Sequence, residues 1–232
     1  MSSGRTKKRN ISIILPSLNE ELTIGKVIDE IPRQALEGEG YQVEVLVVDG
    51  NSSDQTRQIA QAKGARVMIE PRIGKGRAVR TALASLKADF VFMLDADYTY
   101  PATYIHDMLK ILCQDHPVVI GSRLKGRREK GAMKQLNLIG NFLLSLMASV
   151  LYRTRISDLC TGYWGMRGEV IPGLRLLADG FQLEAELFTQ LAKKGYRIAE
   201  VPVYYRRREG KTKLSNLKDG IKIGWMLIAR RF

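Results

Sequence analysis

Cysteine and histidine are almost missing from this chain, at two residues each in 232 (Cys113, Cys160; His106, His116). So few cysteines, far apart, exclude a disulfide framework and lead us to expect reduced thiols in a cytosolic setting. No His/Cys spacing suits zinc, so a zinc enzyme is not expected. The opening Met1-Ser2-Ser3-Gly4-Arg5-Thr6-Lys7-Lys8-Arg9-Asn10 lacks an apolar core, so no secretory signal is expected there. No G-x-x-x-x-G-K-[ST] loop occurs, and no G-x-G-x-x-G follows the first strand-like segment. ATPase and dinucleotide-dependent dehydrogenase readings lose their support with them. Zinc-finger, homeodomain and RNP signatures are absent too. A nucleic-acid-binding module would rest on charge alone, and nucleic acid is not an expected partner.

What the chain does have is positive charge and enough apolar content for one sizeable core. It carries a net +13 with 45% hydrophobic residues. The charge is clustered at Arg5–Arg9, at Arg123–Lys134 and from Arg206 onward. Such patches attract nucleotide phosphates or an anionic membrane surface.

Short Val/Ile-rich runs at Ile11–Leu15, Val43–Val48, Ala65–Glu70, Phe90–Leu94 and Val118–Ile120 read as strands buried on both faces. Helical stretches separate them, roughly 22–35, 54–63, 76–86 and 102–113. The alternation predicts an α/β fold: a doubly wound, mostly parallel sheet flanked by helices. Ligands of such sheets bind outside the carboxyl ends of the strands, which points to four loops.

Asp95-Ala96-Asp97 directly follows the apolar run Phe90–Leu94 and puts two carboxylates at the sheet rim. Paired oxygen donors suit Mg²⁺ or Mn²⁺ shared with substrate phosphates; a solvated turn is the plainer alternative. Pro16-Ser17-Leu18-Asn19-Glu20-Glu21 offers polar groups for a base or ribose, or simply a helix cap. Asp49 ends the second strand and can accept hydrogen bonds from a base or ribose, with Asp54 as the cap of the next helix. In Arg72-Ile73-Gly74-Lys75-Gly76-Arg77 the glycines permit close backbone approach and Lys75 can meet a phosphate.

In the second half, Leu136–Tyr152 runs 17 residues without a charge, about 25 Å of helix and short of a typical bilayer span. Asn137, Asn141, Ser145 and Ser149 form a polar stripe, with Leu138, Phe142 and Leu146 on an apolar face. An amphipathic interfacial helix is expected, with a core helix packed on the sheet as the alternative. Glu184 opens a further helix, where it can serve a site or pair with a basic residue. Trp164 reads as core. The segment 217–232 mixes Ile221, Ile223, Trp225, Leu227 and Ile228 with basic residues, a pattern suited to a membrane interface.

These pieces together resemble the family-2 glycosyltransferases of GT-A fold. The resemblance lies in Ile13–Glu20, Val47–Thr56, Gly74-Lys75-Gly76 and Leu94–Asp97. Ile120-Gly121-Ser122-Arg123, Ser157–Met166 and Arg208–Leu214 narrow it toward the polyprenyl-phosphate branch, that of dolichyl-phosphate mannose and glucose synthases. It implies a basic tail at 1–9, a glycosyltransferase domain over 10–215 and a basic amphipathic helix over 216–232. Pro16, Asn19, Glu20 and Asp49 would bind the nucleotide, with Lys75, Asp95 and Lys213 on the same donor. Asp95 and Asp97 would hold Mg²⁺ or Mn²⁺. Arg123 and Arg208 would act with Asp97 in catalysis, while Arg123, Asp158 and Glu184 face the sugar or acceptor. The implied reaction is inverting transfer from a nucleoside-diphosphate sugar to a polyprenyl phosphate. It would take place at the cytoplasmic face of the membrane, on a peripheral protein, or an anchored one if the natural chain continues. Thr99 stands where mannose-type relatives often carry Gln, which favours a UDP-sugar over GDP-mannose. A soluble sugar or protein hydroxyl as acceptor is the alternative; it would need a carboxylate base, Glu184 or Asp158.

Overall fold

A computed structural model of the protein describes residues 8–210 and 216–231. The expected basic tail lies mostly outside the described residues, and so does Lys213. Among the described residues seven strands form one sheet: β1 (Arg9–Ser17), β2 (Tyr41–Asp49), β3 (Arg66–Ile69), β4 (Phe90–Met93), β5 (Val118–Ser122), β6 (Trp164–Arg167) and β7 (Ile198–Pro202). Their order across the sheet is β3-β2-β1-β4-β6-β5-β7. The first four are mutually parallel; β6 runs antiparallel between β4 and β5, and β7 pairs parallel with β5. The doubly wound, mostly parallel expectation therefore holds, with β6 and β7 as additions.

Among the described residues eight α-helices flank the sheet: α1 (Ile24–Glu30), α2 (Arg33–Gly38), α3 (Thr56–Ala62), α4 (Lys75–Ser85), α5 (Ile105–Leu112), α6 (Gln135–Tyr152), α7 (Leu183–Lys193) and α8 (Asn216–Ala229). The single helix expected over 22–35 is two. Pro32 has no amide hydrogen and drives Ile31 to an extended ψ of 124°, which ends α1 there. One core packs Ile24, Leu36, Ala60, Ile105 and Met108 on one sheet face. The other packs Val79, Ala148, Phe188 and Leu227 on the opposite face. Burying both faces is what makes β1, β2 and β4 continuous apolar runs rather than alternating ones.

Helix α6 is turned so that its polar stripe faces inward. Asn141 and Ser145 are buried, and the Asn141 amide donates to Asp158 Oδ1 at 2.6 Å. Leu136, Ile139, Phe142, Leu143, Leu146 and Val150 are each more than half exposed. Helix α8 packs beside it, with Gly224 against Leu144 and Met147, and exposes Ile221, Trp225 and Ile228. The Tyr152 hydroxyl donates to the Leu227 carbonyl at 2.9 Å and joins the two. Amphipathicity was legible in the sequence, but the polar face is the one that meets the protein.

Candidate active site

The carboxyl ends of β1, β2 and β4 converge on Asp95 and Asp97. Strand β4 is fully buried, and of the two acids that follow it Asp95 is partly exposed while Asp97 stays buried. Asp95 lies flat against Gly162, where a Cβ would come within 2.2 Å of its Oδ2. Lys75 Nζ, at the start of α4, donates to Asp95 Oδ1 at 2.5 Å and to Glu184 Oε1 at 2.6 Å. Arg208 sits on the other acid: Nη1 lies 2.8 Å from Asp97 Oδ2 and Nη2 2.6 Å from Glu20 Oε1. The Thr99 hydroxyl donates to Asp97 Oδ1 at 2.6 Å and orients that carboxylate.

Burial, then repulsion from Asp95, raises the Asp97 carboxyl above its ordinary range despite Arg208. Burial likewise raises Glu184, against the pull of Lys75. For Lys75 burial acts downward, but Asp95 and Glu184 outweigh it and hold the ammonium charged. Two neighbouring carboxylates that still repel each other beside a lysine and an arginine retain a demand for positive charge. No cluster of three or more His, Cys, Asp or Glu side chains forms a closed metal cage among the described residues. Mg²⁺-type sites built from one or two carboxylates plus substrate phosphates need no such cage, so the donor set fits a hard divalent ion.

Arg123 and Asp158 form the floor. Nε and Nη2 of the guanidinium donate to the two carboxylate oxygens at 2.8 and 2.6 Å, and the Arg123 amide adds a third bond at 2.8 Å. Burial would lift Asp158, yet Arg123 and Asn141 hold it below the usual carboxylate range. The rings of Tyr100 and Tyr205 flank the guanidinium carbon at 6.0 and 5.3 Å. Arg123 thus spends two of its nitrogens on Asp158, with Nη1 outside that pair.

Around the first two strand tips the polar residues are knitted to one another. Asn19, in a left-handed conformation with φ 50°, accepts the Ser53 amide at 2.8 Å. Asp49 is fully buried and accepts the Ser52 amide and hydroxyl at 2.9 and 2.5 Å. The Glu20 amide donates to Thr56 Oγ1 at 2.8 Å, and Pro16 is half-buried opposite Val48 in the β1–β2 register. Asp54 accepts the Thr56 amide at 3.0 Å at the start of α3, but the helix begins two residues later than expected and Gln55, not Asp54, holds the N-cap position. Gly74 and Gly76 admit the carbonyls of Ala178 and Asp179 instead of a ligand: a Cβ at Gly76 would meet Ala178 O at 2.0 Å. Trp164 is core, in β6.

The sheet thus brings together Lys75, Asp95, Asp97, Glu20, Glu184 and Arg208 as one charged cluster. Arg123 and Asp158 lie beside it, and Asp49 and Asn19 are bound into the neighbouring loops. Sequence reasoning missed Tyr100, Tyr205 and Asn141, which sheathe Arg123–Asp158. Only Asn141 left a signal, in the polar stripe. It also missed the latch in which Arg206 holds Glu30 at 2.6 and 3.0 Å under the ring of Tyr98.

Residues 12–173 match the family described as Glycosyl transferase family 2. The chain belongs to that family. Two proteins of Haloferax volcanii are similar over most of it. Glycosyltransferase AglJ is 37% identical over 213 residues, which cover 90% of this chain and 68% of AglJ. A dolichyl-phosphate hexose transferase is 35% identical over 221 residues, 94% of this chain and 92% of that protein. Among solved structures, glucosyl-3-phosphoglycerate synthase from Mycobacterium tuberculosis, in complex with Mn²⁺, uridine diphosphate and glucosyl-3-phosphoglycerate, is 26% identical. Its TM-score is 0.71, with 96% of this chain and 78% of that one covered. The protein is a glycosyltransferase with the GT-A fold, as the sequence led us to expect.

Proposed function

We propose that this glycosyltransferase moves one hexose from a nucleoside-diphosphate sugar, a UDP-sugar by the Thr99 departure, to a polyprenyl phosphate at a membrane surface, inverting the anomeric centre. The observation that carries the lipid acceptor is the outward apolar face of α6 and α8. Six apolar residues of α6 and three of the neighbouring α8 stand exposed, and a clustered apolar surface of this kind marks membrane or protein interaction sites. Arg153, Arg155 and Lys222 are exposed on the same two helices or just after them, as at an anionic headgroup layer. The similarity to a dolichyl-phosphate hexose transferase supports the same reading. The protein would sit peripherally on the cytoplasmic face.

Asp95 and Asp97 would hold Mg²⁺ or Mn²⁺. When bound, that ion neutralises charge growing on the departing diphosphate. Lys75 keeps Asp95 aimed at the rim, and Thr99 does the same for Asp97. Arg208 and Lys75 hold the two acids in the resting state and are placed to turn to the diphosphate. Pro16, Asn19, Glu20 and Asp49 frame the nucleotide side, with Lys213 assigned to it by the family resemblance. A phosphate monoester is largely dianionic at neutral pH and attacks without a general base. Arg123 and Arg208 would position it in line. Asp158 is locked by Arg123 and Glu184 by Lys75, so neither is placed as the base that a hydroxyl acceptor would require.

Two measurements test this reading. Transfer from UDP-glucose to a polyprenyl phosphate should vanish in EDTA and return with Mn²⁺ or Mg²⁺; equal turnover in both removes the metal role. The protein should float with anionic liposomes, and failure to do so returns the soluble acceptor to first place.

A further inference from the structure

A cavity of about 520 Å³ opens beside the first turns of α6, outside the charged cluster. Arg127, Arg128 and Glu129 line it together with Met133, Leu138 and Tyr204. The lining is of two chemistries. Arg127 is exposed and has no ion-pair partner among the described residues. Arg128 Nη1 donates to the Arg123 carbonyl at 2.6 Å, which fixes this wall one residue layer from the Arg123–Asp158 floor. Glu129, the one acid present, accepts the Arg207 amide at 2.8 Å. The apolar lining leads toward the outward face of α6: Leu138 is half-buried and one turn before the exposed Phe142, which is one turn before the exposed Leu146.

We propose that this cavity is the capture seat of the lipid acceptor: Arg127 and Arg128 take the phosphate, and Met133 and Leu138 take the first prenyl unit. The seat rests on the reading of a polyprenyl-phosphate acceptor and adds to it a place and a route. The volume suits a headgroup with one prenyl unit, within the range usual for small-ligand pockets. Two guanidinium groups outweigh one carboxylate, so a dianion is favoured there. The rest of the chain would lie along Phe142 and Leu146 in the bilayer, while the phosphate passes from Arg128 toward Arg123 and Arg208.

Equilibrium binding of farnesyl phosphate, farnesol and inorganic phosphate to the full chain is the test, with UDP-glucose binding measured in parallel. Wild type should bind farnesyl phosphate at least tenfold tighter than either half-ligand. Arg127→Gln and, separately, Leu138→Ser should each weaken it five- to tenfold, raise the KM for a polyprenyl phosphate and leave kcat and UDP-glucose affinity within twofold. Unchanged farnesyl phosphate affinity in both variants overturns the seat while leaving the lipid acceptor standing. Wild type that binds UDP-glucose but no farnesyl phosphate overturns both. Inorganic phosphate bound as tightly as farnesyl phosphate means a bare anion site, and the seat falls.

Discussion

Arg123 and Asp158 are joined by three hydrogen bonds, two from the guanidinium and one from the Arg123 amide, and Asp158 has no exposed surface at all. Removing the cation leaves a buried carboxylate uncompensated. Arg123→Ala should therefore cost about 3–5 kcal/mol of stability in urea unfolding, well beyond what an ordinary surface arginine costs.

The same pair has a pH signature. The Asp158 carboxyl is held low in the fold, so its contribution is present above the unfolded carboxylate value, about 3.9. It is lost as pH falls through the lower folded value. The stability deficit of Asp158→Asn relative to wild type should be full at pH 7 and shrink only in strong acid. A deficit independent of pH down to full protonation would contradict the assignment.

Asp97 behaves in the opposite sense. Its carboxyl is raised in the fold, so the protonated form favours folding, and that advantage is lost as pH rises through the folded value. Asp97→Asn should match or exceed wild type in thermal stability at pH 7 while losing transfer activity at least a hundredfold. Because a cation must displace the proton, apparent Mn²⁺ affinity should weaken on acidification, beginning above the ordinary carboxylate range. Isothermal titration at several pH values checks this.

Gly162→Ala should displace Asp95, since the new methyl group would sit 2.2 Å from its Oδ2. The expected result is a drop in kcat/KM of tenfold or more with a melting temperature little changed, because the Asp95 carboxylate is at the rim. Steady-state kinetics with thermal melts separate the two effects.

On the apolar face, Phe142→Glu combined with Trp225→Glu should abolish liposome flotation without loss of folding, both side chains being exposed. Unchanged flotation would place the lipid contact elsewhere on the protein.

The parallel half of the sheet was readable because burial on both faces leaves runs such as Val43–Val48 and Phe90–Leu94 with no polar interruption. The loops carrying Asp49, Lys75, Asp95 and Asp97 followed from where those runs stop. Strands β6 and β7 were not readable. β6 is a four-residue strand whose place is set by partners distant in sequence, and Ile198–Pro202 carries Glu200, which Lys125 neutralises and the Ser157 hydroxyl hydrogen-bonds only in the folded state. Ion pairing at the candidate site was hidden for the same reason: Lys75 and Glu184 are 109 positions apart. The direction in which α6 faces was open as well, since a polar stripe reads alike toward water or toward a buried carboxylate.

That inward stripe ties the orientation of α6 to the site. Asn141 grips Asp158, and Asp158 grips Arg123, so α6 cannot roll about its own axis without dragging the arginine with it. On the proposed lipid acceptor, any pose a bilayer imposed on the helix would be handed to the guanidinium two links away, and arrival at the lipid and aim at the phosphate would become one rigid-body event.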